Sequence, residues 1–148
     1  MSKTVSEMAD LIFAYYPKFR KMYRNLVPIK DIPLSMTQLT CLYIIHQSDG
    51  LSMSELASDL SMSNQQLTKI VDALVDFEMV ERVCDESNRR KFYTNITPKG
   101  SALLESLKQE VDRKLSFALR KKSADEIDNL YSAIEYIASY FGHKPTVD

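Results

Sequence analysis

Apolar side chains recur along this chain mostly at helical spacing, and polar clusters divide them into segments. Leu11, Ile12, Tyr15 and Phe19 fall on one stripe and predict a first helix over 4–26, ending before Pro28. A residue ahead of proline is pushed out of the α region, so Pro28-Ile-Lys-Asp-Ile-Pro33 reads as an extended linker. A second helix is predicted over 36–47, with Leu39, Leu42, Tyr43 and either Ile45 or His46 facing inward, and Gln47-Ser-Asp-Gly50 as a turn. Short helices follow over 53–60 and 64–77, joined tightly through Leu60-Ser-Met-Ser63. Two alternating runs near 79–84 and 91–96 read as strands around the loop 85–90. A long helix is predicted over 98–119 and a last one over 124–140.

Capping signals support this division. Ser35-Met-Thr-Gln38, Ser52-Met-Ser-Glu55, Ser63-Asn-Gln-Gln66 and Ser123-Ala-Asp-Glu126 each fit a capping box, in which the serine hydroxyl and the side chain three residues on satisfy each other's amides. Thr97-Pro98 offers an N-cap with proline in the first helical position. Helix, helix, helix, strand, loop, strand makes a middle block with a long helix on either side. The predicted fold class is mainly α with a small β-hairpin wing, an α+β winged helix-turn-helix. Residues 34–98 are predicted to form this winged domain, and 1–33 with 99–148 a helical dimerisation region. The apolar stripes of the flanking helices (Leu103, Leu107, Val111, Leu115 and Leu119 behind, the first helix in front) exceed what one small block can cover, so a second copy of the chain is the expected partner.

Composition changes this picture little. The chain's 148 residues can bury a real core. Apolar residues at 45% and charged residues at 26% are ordinary for a soluble globular protein, and only 3 glycines favour helix. A net charge of −1 does not by itself point to nucleic acid, so the placement of the charges has to decide. Two distant cysteines fit a reducing compartment without a disulfide framework. No apolar run reaches the roughly 18–20 residues of a membrane span. A cytoplasmic protein with no membrane association is expected.

The helix after Ser63 carries Leu67, Ile70, Val71 and Leu74 as a core stripe. Asn64, Gln65, Thr68, Lys69 and Asp72 lie opposite. Asn and Gln can pair with adenine N6 and N7, Lys reaches guanine or a phosphate, and a Thr methyl meets a thymine methyl. Ser63, Asn64, Gln65, Gln66, Thr68 and Lys69 therefore form the candidate major-groove face, at the end a reading helix inserts. The plain alternative is a solvated helix face. From Arg82 to Lys99 five cations, Arg82, Arg89, Arg90, Lys91 and Lys99, stand against two carboxylates, Asp85 and Glu86. Arginine suits a narrow minor groove, so Arg82, Asn88, Arg89, Arg90 and Lys91 form the candidate wing contact for minor groove and phosphate.

The stretches LSMSELASDLSMSNQQLTKIVDAL and MVERVCDESNRRKFYTNITPKG resemble the MarR family of transcriptional regulators. Val71-Asp72-Ala73-Leu74 with Val80-Glu81-Arg82 matches the end of the family's reading helix and the strand after it. Ile96-Thr97-Pro98-Lys99-Gly100 matches the start of its long helix. The resemblance extends in layout over nearly the whole chain. It implies an obligate homodimer with interlocking terminal helices, each subunit reading half of a pseudo-palindromic site on double-stranded DNA. Two positions depart from the pattern. Asn88 replaces an aspartate that braces the wing arginine in the family, which implies a weaker brace unless Asp85 or Glu86 substitutes. Glu78 replaces a glycine; a positive φ there costs a non-glycine residue roughly 1 kcal/mol.

The resemblance also implies a small aromatic or phenolic ligand between the dimer helices and the winged block. The matching positions are Tyr15, Tyr16, Phe19, Arg20, Tyr23, Arg24, Met36, Leu39 and Tyr43. Aromatics beside two arginines suit an anionic phenol; core and interface packing is the alternative. No P-loop, GxGxxG, CxxC or Ser-His-Asp order occurs, so neither an enzyme nor a cofactor is expected. Cys41 and His46 are five residues apart, which does not put them on one helical face, so no metal site is expected. Cys41 reads as a core thiol and Cys84 as an exposed one. A winged helix used for protein–protein assembly is the alternative function; the salt dependence of DNA binding separates the two.

Overall fold

The structure is a computed structural model that describes residues 4–48, 50–88 and 92–141. Helix α1 spans Val5–Leu26, a 3₁₀ turn Ile29–Asp31, and α2 Met36–His46. Strand β1, Leu51–Ser52, leads into α3, Met53–Asp59, and α4, Asn64–Asp76. Strands β2, Val80–Cys84, and β3, Phe92–Ile96, form the hairpin; α5, Pro98–Leu119, and α6, Ala124–Phe141, complete the chain. By internal packing the chain falls into two units, Met1–Val111 and Asp112–Asp148.

The caps start the helices where the pattern placed them. Ser35 Oγ accepts from the Gln38 amide at 3.2 Å while the Ser35 amide donates to Gln38 Oε1 at 2.8 Å. Ser52 and Glu55, Ser63 and Gln66, and Ser123 and Glu126 repeat the exchange. Thr4 and Glu7 form a further box at the start of α1, the same Thr-x-x-Glu pattern unread in the sequence. Helix α1 continues through Pro17, which has no amide to give the turn before it.

The core of the first unit gathers Leu42, Ile45, Leu56, Leu67, Val71, Leu74 and Val80 with Cys41. Leu39, Leu42 and Ile45 are buried as expected, with Ile45 rather than His46 the inward residue; Tyr43, expected inward, is exposed, and Cys41 fills a further buried position of α2. Two aliphatic faces meet α2 there, and the large polar-tipped rings are left at the edge. A second cluster joins Val27, Leu39 and Leu107, with Leu103, Leu104 and Val111 against it. Of the α5 stripe, Leu107 is buried and Leu103 and Val111 are partly buried within the chain, while Leu115 is exposed. A helix beginning directly after β3 lies against the core it leaves. The α1 stripe stays exposed: Leu11, Ile12, Tyr15 and Phe19 each keep about half of their surface in solvent.

The sheet has three strands rather than the two of the predicted hairpin. Its order is β1-β3-β2 and all pairs are antiparallel. Leu51 pairs with Thr94 and Ser52 with Tyr93. The Thr94 hydroxyl, fully buried, donates to the Leu51 carbonyl at 3.1 Å. Two residues carry no period, so only the pairing partner reveals such a strand.

Helix α4 ends in a left-handed turn. Glu78 has φ 58°, its amide donates to the Val75 carbonyl at 2.8 Å, and the Met79 amide reaches the Leu74 carbonyl at 2.9 Å. This pair of bonds closes a helix C-terminus and needs positive φ at the cap. The glutamate therefore adopts the conformation that the family's glycine provides. The start of α5 is fastened to this turn. The Thr97 hydroxyl donates to the Glu78 carbonyl at 2.6 Å and accepts from the Gly100 amide at 3.1 Å. The Thr97 amide donates to the Met79 carbonyl at 3.0 Å.

In the second unit, the apolar residues of α6, among them Ile127, Leu130, Ile134 and Ile137, are exposed. Tyr136 and Tyr140 stack one turn apart with ring centroids 6.5 Å apart. Among the described residues no helix is long and apolar enough to cross a membrane.

Candidate nucleic-acid interface and ligand groove

Helix α4 divides cleanly into two faces. Leu67, Val71 and Leu74 have no exposed surface. Asn64, Gln65, Thr68 and Lys69 are exposed in its first two turns. Two of the candidate residues are committed to the cap: Gln66 Oε1 accepts from the Ser63 amide at 3.2 Å, and Ser63 Oγ accepts from the Gln66 amide at 3.3 Å. Their part is to start the helix at the right residue. The Thr68 hydroxyl turns back to the Asn64 carbonyl at 2.8 Å, so what Thr68 offers a base is its methyl. Asn64, Gln65 and Lys69 keep long or bifunctional polar groups at the exposed end.

Asp72, one turn further on, is ion-paired with Arg82 of β2 at 2.6 Å. Arg82 is thus placed between strand and helix, bracing the base of the hairpin against α4. Both partners are partly in solvent, so the pair contributes geometry more than energy. Beyond it the hairpin loop is organised by one carboxylate. Asp85 Oδ1 accepts from the Ser87 amide at 2.8 Å, the Ser87 hydroxyl at 2.7 Å and the Asn88 amide at 3.3 Å. Asp85 Oδ2 accepts from the Tyr93 hydroxyl at 3.3 Å. The Ser87 hydroxyl, then the backbone amides, hold the Asp85 carboxyl below its usual range, and the negative charge of Asp85 raises the Tyr93 phenol above its own. Asn88 is exposed at the end of this turn. Arg89, Arg90 and Lys91, the remaining wing candidates, lie outside the described residues.

A groove of about 620 Å³ opens in the first unit between the end of α1, α2 and α5. Its buried walls are Val27, Leu39 and Leu107. Its exposed ones include Tyr23, Tyr43, His46, Glu105 and Lys108. Of the expected cleft residues it takes in Tyr23, Leu39 and Tyr43; Tyr15, Tyr16, Phe19, Arg20, Arg24 and Met36 are not among its walls. From α1 the groove takes Tyr23, together with the C-cap Val27. Lys108 is the cationic group of the groove, with His46 also in its wall, in place of the two arginines. Among the described residues no group of three His, Cys, Asp or Glu could hold a metal. Cys41 is buried and its thiol is pushed up to about 12 by desolvation, which keeps it protonated and inert. Cys84 is exposed.

Residues 34–92, the segment from α2 to the start of β3, match the MarR family model. The multiple antibiotic resistance protein MarR of Salmonella typhimurium is 28% identical over 124 residues, covering 83% of this chain and 85% of that protein. Over these spans the chain is similar to MarR-family proteins. It is also 27% identical over 92 residues to YpoP of Bacillus subtilis, an HTH-type transcriptional regulator, a match covering 62% of this chain. The chain spans 65% of that relative's length, just under two thirds. The crystal structure of RV1404 from Mycobacterium tuberculosis shares the fold with a TM-score of 0.81 at 16% identity, covering 99% of both chains. MarR proteins are winged helix-turn-helix transcriptional regulators, and the family is one of DNA-binding proteins rather than enzymes.

Three site features came from the structure and not from the sequence reading. The Asp72–Arg82 pair depends on a strand and a helix meeting in space. The α5 wall of the groove depends on α5 folding back over Val27. The Asp85 turn had a local signal, an aspartate two residues ahead of a serine, which is the spacing of an Asx turn.

Proposed function

We propose that the protein is a dimeric repressor that binds a pseudo-palindromic operator and releases it when a small aromatic or phenolic anion fills the groove. Helix α4 carries this reading: its buried Leu67, Val71 and Leu74 fix the helix to the core while Asn64, Gln65, Thr68 and Lys69 stand outward at its start. That is the geometry of a helix whose N-terminal residues meet base edges in the major groove. Asn64 and Gln65 suit adenine, Lys69 guanine or a phosphate, and the Thr68 methyl a thymine. The wing, based on Arg82 and the Asp85 turn and tipped by Asn88, Arg89, Arg90 and Lys91, follows the adjacent minor groove. Exposed apolar side chains on α1 and α6 support a homodimer built through the terminal helices. The groove's mix of apolar walls, two phenols and Lys108 supports an aromatic anion as ligand. Such a ligand acts only through a difference in affinity between DNA-competent and incompetent spacings of the two reading helices.

Selection of bound duplexes from a randomised pool tests this. Two half-sites about one helical turn, roughly 34 Å, apart are expected, with affinity falling steeply as salt rises. No enriched sequence and a shallow salt slope exclude the reading. Gln65→Ala or Thr68→Ala is expected to relax base preference more than it weakens binding to random duplex. An unchanged preference profile excludes the α4 face.

A further inference from the structure

We propose that the Glu78–Lys99 ion pair is a positioning tether that sets the angle at which α5 carries α4, and so the half-site spacing the dimer accepts. The inference rests on the dimeric DNA-reading function argued above. Glu78 Oε2 lies 2.8 Å from Lys99 Nζ. Each partner is poorly suited to its own position. Glu78 sits at φ 58°, where a non-glycine residue is strained. Lys99 sits in the first turn of α5, where the helix dipole disfavours a cation. A glycine at 78 would make the same backbone bonds, amide to Val75 and carbonyl from Thr97, with less strain. What glutamate adds is the carboxylate that reaches the next helix. Locally disfavoured choices that satisfy each other mark places where function outweighs local preference.

The tether stands where the angle of α4 is decided. The Met79–Thr97 bond and the seat of Gly100 against the Met79 carbonyl hold the end of α4 and the start of α5 together at the backbone. Such contacts fix position, and a side-chain link beside them restrains rotation. Helix α5 then packs through Leu107 on Val27, the C-cap of α1, the helix whose exposed stripe is proposed to join the protomers. A change of angle at the junction therefore moves α4 relative to the dimer face.

The test uses the full chain and the half-sites recovered by the selection, at the preferred spacing and with one base pair added or removed. The readout is the ratio of affinities for preferred and altered spacing within each protein, so that charge added near DNA cancels. The wild type is expected to discriminate. Glu78→Lys and Lys99→Glu are each expected to narrow the ratio by about two- to fivefold, the reach of an exposed ion pair. The double swap Glu78→Lys with Lys99→Glu restores the pair and is expected to restore the ratio. Single variants with the wild-type ratio overturn the tether, as does a swap that behaves like the single variants. A wild type indifferent to spacing overturns the dimeric reading itself, and the tether's role with it.

Discussion

At the residue scale, the two cysteines show how burial alone separates identical chemistry. Cys41 lies in the core with its thiol raised to about 12, whereas Cys84 is exposed on β2. Under native conditions an alkylating reagent is expected to label Cys84 and leave Cys41 intact until the chain unfolds. Two equivalents taken up by the folded protein would contradict the core placement. Asp85 makes a second case. Its carboxyl is held low because its charged form accepts from Ser87, Asn88 and Tyr93. A depressed value means that the turn is held above the ordinary aspartate range and is let go as pH falls through the lowered value. The amide resonances of Ser87 and Asn88 are expected to shift in that acid window, and Asp85→Asn is expected to remove the inflection. An inflection at the ordinary aspartate value would show that the carboxylate does not organise the loop.

At the element scale, the junction between α4 and α5 depends on Gly100. A Cβ there would stand 2.3 Å from the Met79 carbonyl oxygen and 2.8 Å from Ile96 Cγ1. Alanine is the better helix former by up to about 1 kcal/mol. The obstacle is backbone, which cannot turn aside, and overpacking costs roughly 1–3 kcal/mol. Gly100→Ala is therefore expected to lower the melting temperature despite its helix propensity; a raised one would contradict the close approach. The helices themselves were legible from the chain because each capping box is local: four residues contain donor, acceptor and spacing. The short β1 and the outward position of Tyr43 were not. Leu51 and Ser52 become a strand only when Thr94 and Tyr93 arrive opposite them. Tyr43 is outward because of what surrounds α2, which a stripe of apolar residues does not specify.

For the whole molecule, the exposed stripe on α1 has the greatest consequence. Phe19 keeps 59% of its surface in solvent and Ile12 55%. Isolated apolar residues are normal on a surface, but a continuous stripe along a long helix marks an interface. Phe19→Glu together with Ile12→Glu is expected to shift the mass measured by light scattering from dimer to monomer and to weaken operator binding. A dimer that survives both changes would remove α1 from the interface. The candidate site divides along the same line as the fold. The exposed face of α4 was legible because helical spacing sorts one element's residues into faces. The groove was only partly legible, because its walls come from three elements and α5 replaced most of the α1 residues that the resemblance had nominated.

Spacing and caps along the sequence determined the order of helices, the buried and exposed faces of α4, and the hairpin. These are properties of one element or of adjacent residues, and short-range geometry suffices for them. The tertiary structure alone decided that Arg82 braces Asp72, that Glu78 reaches Lys99, that β1 joins the sheet, and that Lys108 and His46 line the groove with Tyr23 and Tyr43. Each of these needs two segments distant in the chain to meet, and their meeting is fixed by the packing of the core rather than by the pattern of any one segment.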